Sequence, residues 1–189
     1  MAKHGGMMAD ASLKVPDLDS WLPQPTIQVR HSRRSSADPD ALWEAARSVR
    51  VRDTALLGRL VQWRIPGTAA EVSFDELFRK PPFCMLEEGE LALVSGIVGR
   101  IWTLRRDYPK LAGPEEFRRF DTPGTARVVF AMWVASEEPG GRLSAEVRVA
   151  PIGVQGRLGI RAVRPLVTGF QNLIASDGLG AVVRRAEGR

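Results

Sequence analysis
The last third of the chain changes its apolar period within a few residues, and that change limits the folds open to it. Across 126–135 and 143–150 apolar residues recur every second position. Val128, Phe130, Met132 and Val134 fall on one side, and Arg127, Val129, Ala131, Trp133 and Ala135 on the other. Leu143, Ala145, Val147 and Val149 alternate with Ser144, Glu146 and Arg148, and a Glu-Glu-Pro-Gly-Gly turn lies between the two runs. Such alternation predicts a β-hairpin. Over 155–187 the period becomes helical: Ala162, Val163, Leu166, Val167, Phe170, Leu173, Ile174, Ala181 and Val182 form one stripe, mostly opposite a run of arginines. A hairpin feeding directly into a striped helix must share its core with that helix. The pattern predicts a helix held against a curved antiparallel sheet. Pro165 predicts a kink near 161–164, because proline removes an intrahelical donor and crowds the preceding turn. Asp177-Gly178 and Gly180 predict that the last turns are separate.

The rest of the chain supplies elements for such a core. Ile27 and Val29 mark a first strand over 26–35. Asp38-Pro39 is a helix start, with Asp as cap and Pro at the first helical position. Leu56, Leu57, Leu60, Val61 and Trp63 predict a second helix. Ser73 with Glu76 three residues on is a capping box before a short third one, which Pro81-Pro82 ends. From Phe83 the period is two again, giving a hairpin of 83–86 with 91–98 whose second strand is apolar on both faces. That strand is therefore covered on both sides, or lines a cavity on one. Further strands are expected at 101–104 and 116–120. The segment 1–24, broken by Gly5-Gly6, Pro16 and Pro23, reads as a flexible tail with Trp21 and Leu22 as an anchor. Residues 25–189 then form a single domain.

In order and spacing these elements resemble the helix-grip, or START-like, superfamily, in particular bacterial members of the polyketide-cyclase/dehydrase (SRPBCC) type. The local matches are Gly99-Arg100-Ile101-Trp102, Glu116-Phe117-Arg118-Arg119-Phe120, Pro123-Gly124-Thr125-Ala126, Phe130-Ala131-Met132-Trp133-Val134, Ser144-Ala145-Glu146-Val147-Arg148-Val149 and Val182-Val183-Arg184-Arg185-Ala186-Glu187. The resemblance implies an α+β fold: a curved antiparallel sheet of about seven strands around a long C-terminal helix, with two short helices after the first strand. It also implies an apolar cavity between sheet and helix. Members bind lipids, sterols or polyketides, and a minority are enzymes. Pro165, Gly169 and Asp177 depart from the arginine-rich helix of that group.

Chemistry is constrained mainly by what is missing. Two histidines and one cysteine in 189 residues, with His4 in the tail, leave no Cys/His zinc site. No Gly-x-Ser-x-Gly, phosphate loop or dinucleotide fingerprint occurs. No metal, cofactor or catalytic residue is assigned. The net charge of +5 is diffuse rather than a patch with interleaved aromatics, so no nucleic acid is expected as partner. No run of about 18 apolar residues occurs, so no membrane span is expected, and a lone Cys84 suits a reducing, cytoplasmic setting. The expected partner is an apolar small molecule, with a homodimer left open. The candidate ligand-binding residues are Met85, Val94, Trp102, Phe130, Met132, Trp133, Glu146, Arg148, Leu166 and Phe170. Phe130 and Met132 are favoured inward for their apolarity, with Trp133 the rival on the opposite face. An enzymatic alternative would use Glu146 or Asp177 as acid/base, with Arg105 or Arg148 stabilising an enolate. A second alternative is a protein-interaction subunit.

Overall fold
The computed structural model of the chain describes residues 15–65, 67–103, 105 and 108–188, and the side chains of these except at 166–168, 170 and 171. Five strands form one antiparallel sheet in the order β1-β5-β4-β3-β2. They are β1 (Ile27–Ser35), β2 (Cys84–Gly89), β3 (Ala92–Gly99), β4 (Thr125–Glu137) and β5 (Gly140–Ile152). Three helices lie between β1 and β2: α1 (Pro39–Ser48), α2 (Leu56–Arg64) and α3 (Phe74–Arg79). Helix α4 (Pro114–Arg119) joins β3 to β4. The chain closes with α5 (Gly153–Leu173), a π-helical stretch (Ile174–Gly178) and α6 (Leu179–Ala186). This is a helix grip: an antiparallel sheet curved around the C-terminal helical segment.

Local chemistry explains most of the boundaries. The Asp38 carboxylate accepts from Asp40 N at 2.9 Å, in the first turn of α1, with Pro39 in the first helical position. Ser73 Oγ accepts from Glu76 N at 3.1 Å to start α3. The hairpin of β4 and β5 pairs Val128 with Val149 and Met132 with Ala145, so the inner faces of both strands coincide.

Among the described residues two expected strands are not found, and the sheet has five strands where about seven were expected. Residues 101–103 form turns rather than a strand, and Leu104 lies outside the described residues. Glu116 to Arg119 belong to α4. Pro114 stands at its start, Glu115 and Glu116 occupy its first turn, and Arg118 and Arg119 its last. That charge order follows the helix dipole.

The final helix meets one expectation, separate last turns from Leu179, and not the other, a break near 161–164. It runs through Pro165 and is interrupted instead at the π-helical stretch. Its buried stripe includes Ile160, Leu179, Ala181 and Val182, while Ala162 is exposed.

Both faces of the sheet are covered. On the helix side Leu93, Ile97, Val128, Val147 and Val149 are buried against α1, α2, α3, α5 and α6. On the outer side Val94, Val98, Val129 and Trp133 pack with Leu18, Trp21 and Leu22 of the N-terminal segment and Phe117 of α4. Trp21 and Leu22 do anchor the segment, with Leu18 beside them. Residues 1–14 lie outside the described residues. The fully buried Ser95 of β3 is satisfied: its hydroxyl donates to Phe78 O (2.8 Å) or Cys84 O (3.1 Å).

Candidate functional site
Between the helix-facing side of the sheet and the helices lies a cavity of about 640 Å³. Its walls come from the sheet (Ile97, Val128, Phe130, Met132, Ala145, Val147) and from α2, α3 and the final helical segment. Phe130 closes one side as part of an aromatic group. Its ring stacks on Phe78 at 5.6 Å and meets Phe83 edge-on at 5.6 Å. Helix α2 presents Leu57, Leu60, Val61 and Arg64 to the cavity, at helical spacing. A volume of this order, with few polar groups among apolar walls, is typical of small-molecule sites.

The expected site residues divide between the two faces. Phe130 and Met132 line the cavity. Trp102 is partly buried at the edge of the same apolar group and lies against α5 at Gly159, where a Cβ would stand 2.3 Å from its ring. Met85 packs instead with the apolar group around α1. Val94 and Trp133 point to the outer face, where the Arg30 guanidinium lies 4.4 Å from the Trp133 ring centroid. Alternation along β3 and β4 makes this unavoidable once Ile97 and Phe130 face inward. Leu166 and Phe170 fall outside the residues whose side chains are described.

Glu146 and Arg148 turn their charged ends toward the outer face. Glu146 is among the residues around the cavity. Its neighbours Ala145 and Val147 face inward, so its carboxylate faces out. There it accepts from Arg148 Nε (2.6 Å) and Gln28 Nε2 (2.9 Å), with Arg30 Nε at 3.6 Å. Arg148 also donates to Asp19 Oδ1 (2.6 Å) and Leu22 O (3.2 Å), tying the N-terminal segment down. Burial alone would lower the Arg148 pKa, but the hydrogen bonds to Glu146 and Asp19 raise it above the ordinary arginine value. Asp177 is no cavity acid either. Its Oδ2 accepts from the main-chain N–H groups of Leu56 (2.9 Å) and Leu57 (3.0 Å), capping α2.

Sequence reasoning missed the contribution of α2 and the Phe78–Phe83 pair. The spacing 57, 60, 61 and 64 was the available signal, since those residues share one helical face. Among the described residues no three His, Cys, Asp or Glu side chains gather as a metal site requires. No helix among them is long and apolar enough to cross a membrane.

No family model matches this chain, and no curated protein matches it either. Solved structures resemble it distantly. TTHA0849 from Thermus thermophilus is 11% identical, covering 86% of this chain and 98% of its own, with a TM-score of 0.36. The Zhui aromatase/cyclase from Streptomyces sp. R1128 is 14% identical over 86% of this chain and 94% of its own, also at 0.36. Ara h 8.0201 is 11% identical over 83% and 97%, at 0.26. At this level of similarity nothing about ligand or reaction passes from them to this chain.

Proposed function
We propose that this protein binds one apolar small molecule, lipid- or polyketide-like, in the cavity between its sheet and its helices. The observation that carries the reading is the cavity itself: about 640 Å³ enclosed by Phe, Leu, Val, Ile and Met side chains on both layers. A solidly packed interior would have left no such space. The cyclase or dehydratase alternative finds less support. Glu146 is held in an ion network on the opposite face and Asp177 caps a helix, so neither carboxylate is placed as an acid/base toward the cavity. No cofactor enters this reading.

The test is to extract the purified protein with solvent and identify co-purified molecules by mass spectrometry. Apolar fluorescent probes are then titrated into the emptied protein. Saturable, stoichiometric binding that a natural apolar ligand displaces is the expected result. A protein that comes empty and saturates with no apolar probe would sink the reading.

A further inference from the structure
Among the described residues, Arg64 is the one cationic side chain on the cavity wall. It stands on the same face of α2 as Leu57, Leu60 and Val61. Its Nη2 donates to Ile101 O at 2.8 Å, and its Cζ lies 5.2 Å from the Tyr108 ring centroid. Its Nη1 is shut off from solvent and finds no acceptor. A buried guanidinium N–H without an acceptor is costly, more so among apolar walls. Two other part-buried arginines are paired, Arg79 with Asp75 and Glu88 and Arg148 with Glu146 and Asp19, while Arg127, whose Nε also lacks an acceptor, lies away from the cavity wall. Near Arg64 no carboxylate of the described residues plays that part.

We propose that Arg64 receives the carboxylate end of the molecule whose apolar body fills the cavity. The proposal rests on the cavity being a binding site, and it adds the chemical class: a monoanionic amphiphile rather than a neutral apolar molecule. The guanidinium fork matches a carboxylate, and a dry wall strengthens the charged hydrogen bond. The Nη2 bond to Ile101 O and the Tyr108 ring hold the guanidinium in place at the wall, so the acid meets a donor already positioned. For the carboxylate to reach Nη1, which is shut off here, neighbouring side chains must give way on binding.

The test titrates the full chain, below micellar concentrations, with dodecanoate and with dodecan-1-ol. The two share a chain length and differ in the end group. Binding is read by tryptophan fluorescence, since Trp63 lines the cavity and Trp102 sits at its edge, and by calorimetry. Dodecanoate is expected to bind about tenfold or more tightly than the alcohol. Arg64→Met should abolish that preference, and Arg64→Lys should restore part of it. Equal affinity of the wild type for both molecules, or an intact preference in Arg64→Met, overturns the role of Arg64 and leaves the cavity reading standing. Binding of neither molecule counts against both. Circular dichroism checks that the variants fold, and the wild-type comparison decides the question without them.

Discussion
At Gly96 only a hydrogen fits. A methyl there would stand 2.6 Å from the Phe117 ring and 3.0 Å from Leu86 Cδ1. Phe117 is wholly buried, so it has no easy retreat. Gly96→Ala should therefore cost about 1–3 kcal/mol by overpacking, read as a lower urea midpoint with an unchanged slope. Phe117→Leu in the same chain should recover part of that loss, because the two sites touch. Cys84 makes a second residue-scale test. Burial pushes its thiol above the ordinary value and the charge of Glu116 adds to this, so little thiolate forms at neutral pH. Iodoacetamide should label the native protein far more slowly than the urea-unfolded one. Equal rates would show that the outer layer over β2 is not closed.

Helix α2 shows how one element depends on another far along the chain. It opens on Ala55, which offers no cap of its own, and Asp177 from the π-helical stretch supplies the acceptor instead. A carboxylate there meets both the free N–H groups and the positive end of the helix. Asp177→Ala should cost about 0.5–2 kcal/mol, and Asp177→Asn distinctly less, by chemical denaturation. The same contact explains what the sequence could and could not reveal about the elements. α1 and α3 were legible because their caps are local: Asp38 with Asp40, Ser73 with Glu76. The break in the final helix was legible only in part. Pro165 and Asp177-Gly178 both weaken a helix locally, but the break falls where Asp177 bonds to α2 and a Cβ at Gly178 would stand 2.9 Å from Leu57. Tertiary contact chose between two weak points. α4 was misread because six residues are too few for a helical period to emerge.

For the molecule as a whole, the inward face of β4 and β5 could not be read from the strands, since Phe130 and Trp133 are both large and on opposite sides. What decides it is the N-terminal segment: Leu18, Trp21 and Leu22 cover Trp133, and Asp19 and the Leu22 carbonyl satisfy Arg148. With the outer face covered in this way, the cavity of about 640 Å³ lies on the helix side. Ion pairs at the strand ends set the response of the whole molecule to acid. A hydrogen bond from Arg79 holds the Glu88 carboxyl below its ordinary value, and one from Arg142 does so for Glu137. Depressed folded values mean stability that is present above the unfolded carboxylate pKa of about 4.3 and lost as pH falls through the lower folded ones. Melting temperature should therefore fall below about pH 4, modestly, since Glu88 is exposed and Glu137 partly so, and less so in high salt. Glu88→Gln should flatten part of that fall.

The cavity allows a test at the same scale. Ala145 faces it from β5, opposite Met132 on β4 and His31 on β1. Ala145→Phe puts a ring into space that is open, not into packed core. Stability should then change by less than about 1.5 kcal/mol, whereas binding of an apolar probe should fall at least about tenfold. Val154→Ala, on the exposed side of α5, should leave binding unchanged. If Ala145→Phe folds and binds like the wild type, the ligand sits somewhere other than between the sheet and the helices. If it unfolds, the space beside Ala145 is not free, and Met132→Ala, which enlarges the same wall, becomes the variant that must alter ligand selectivity.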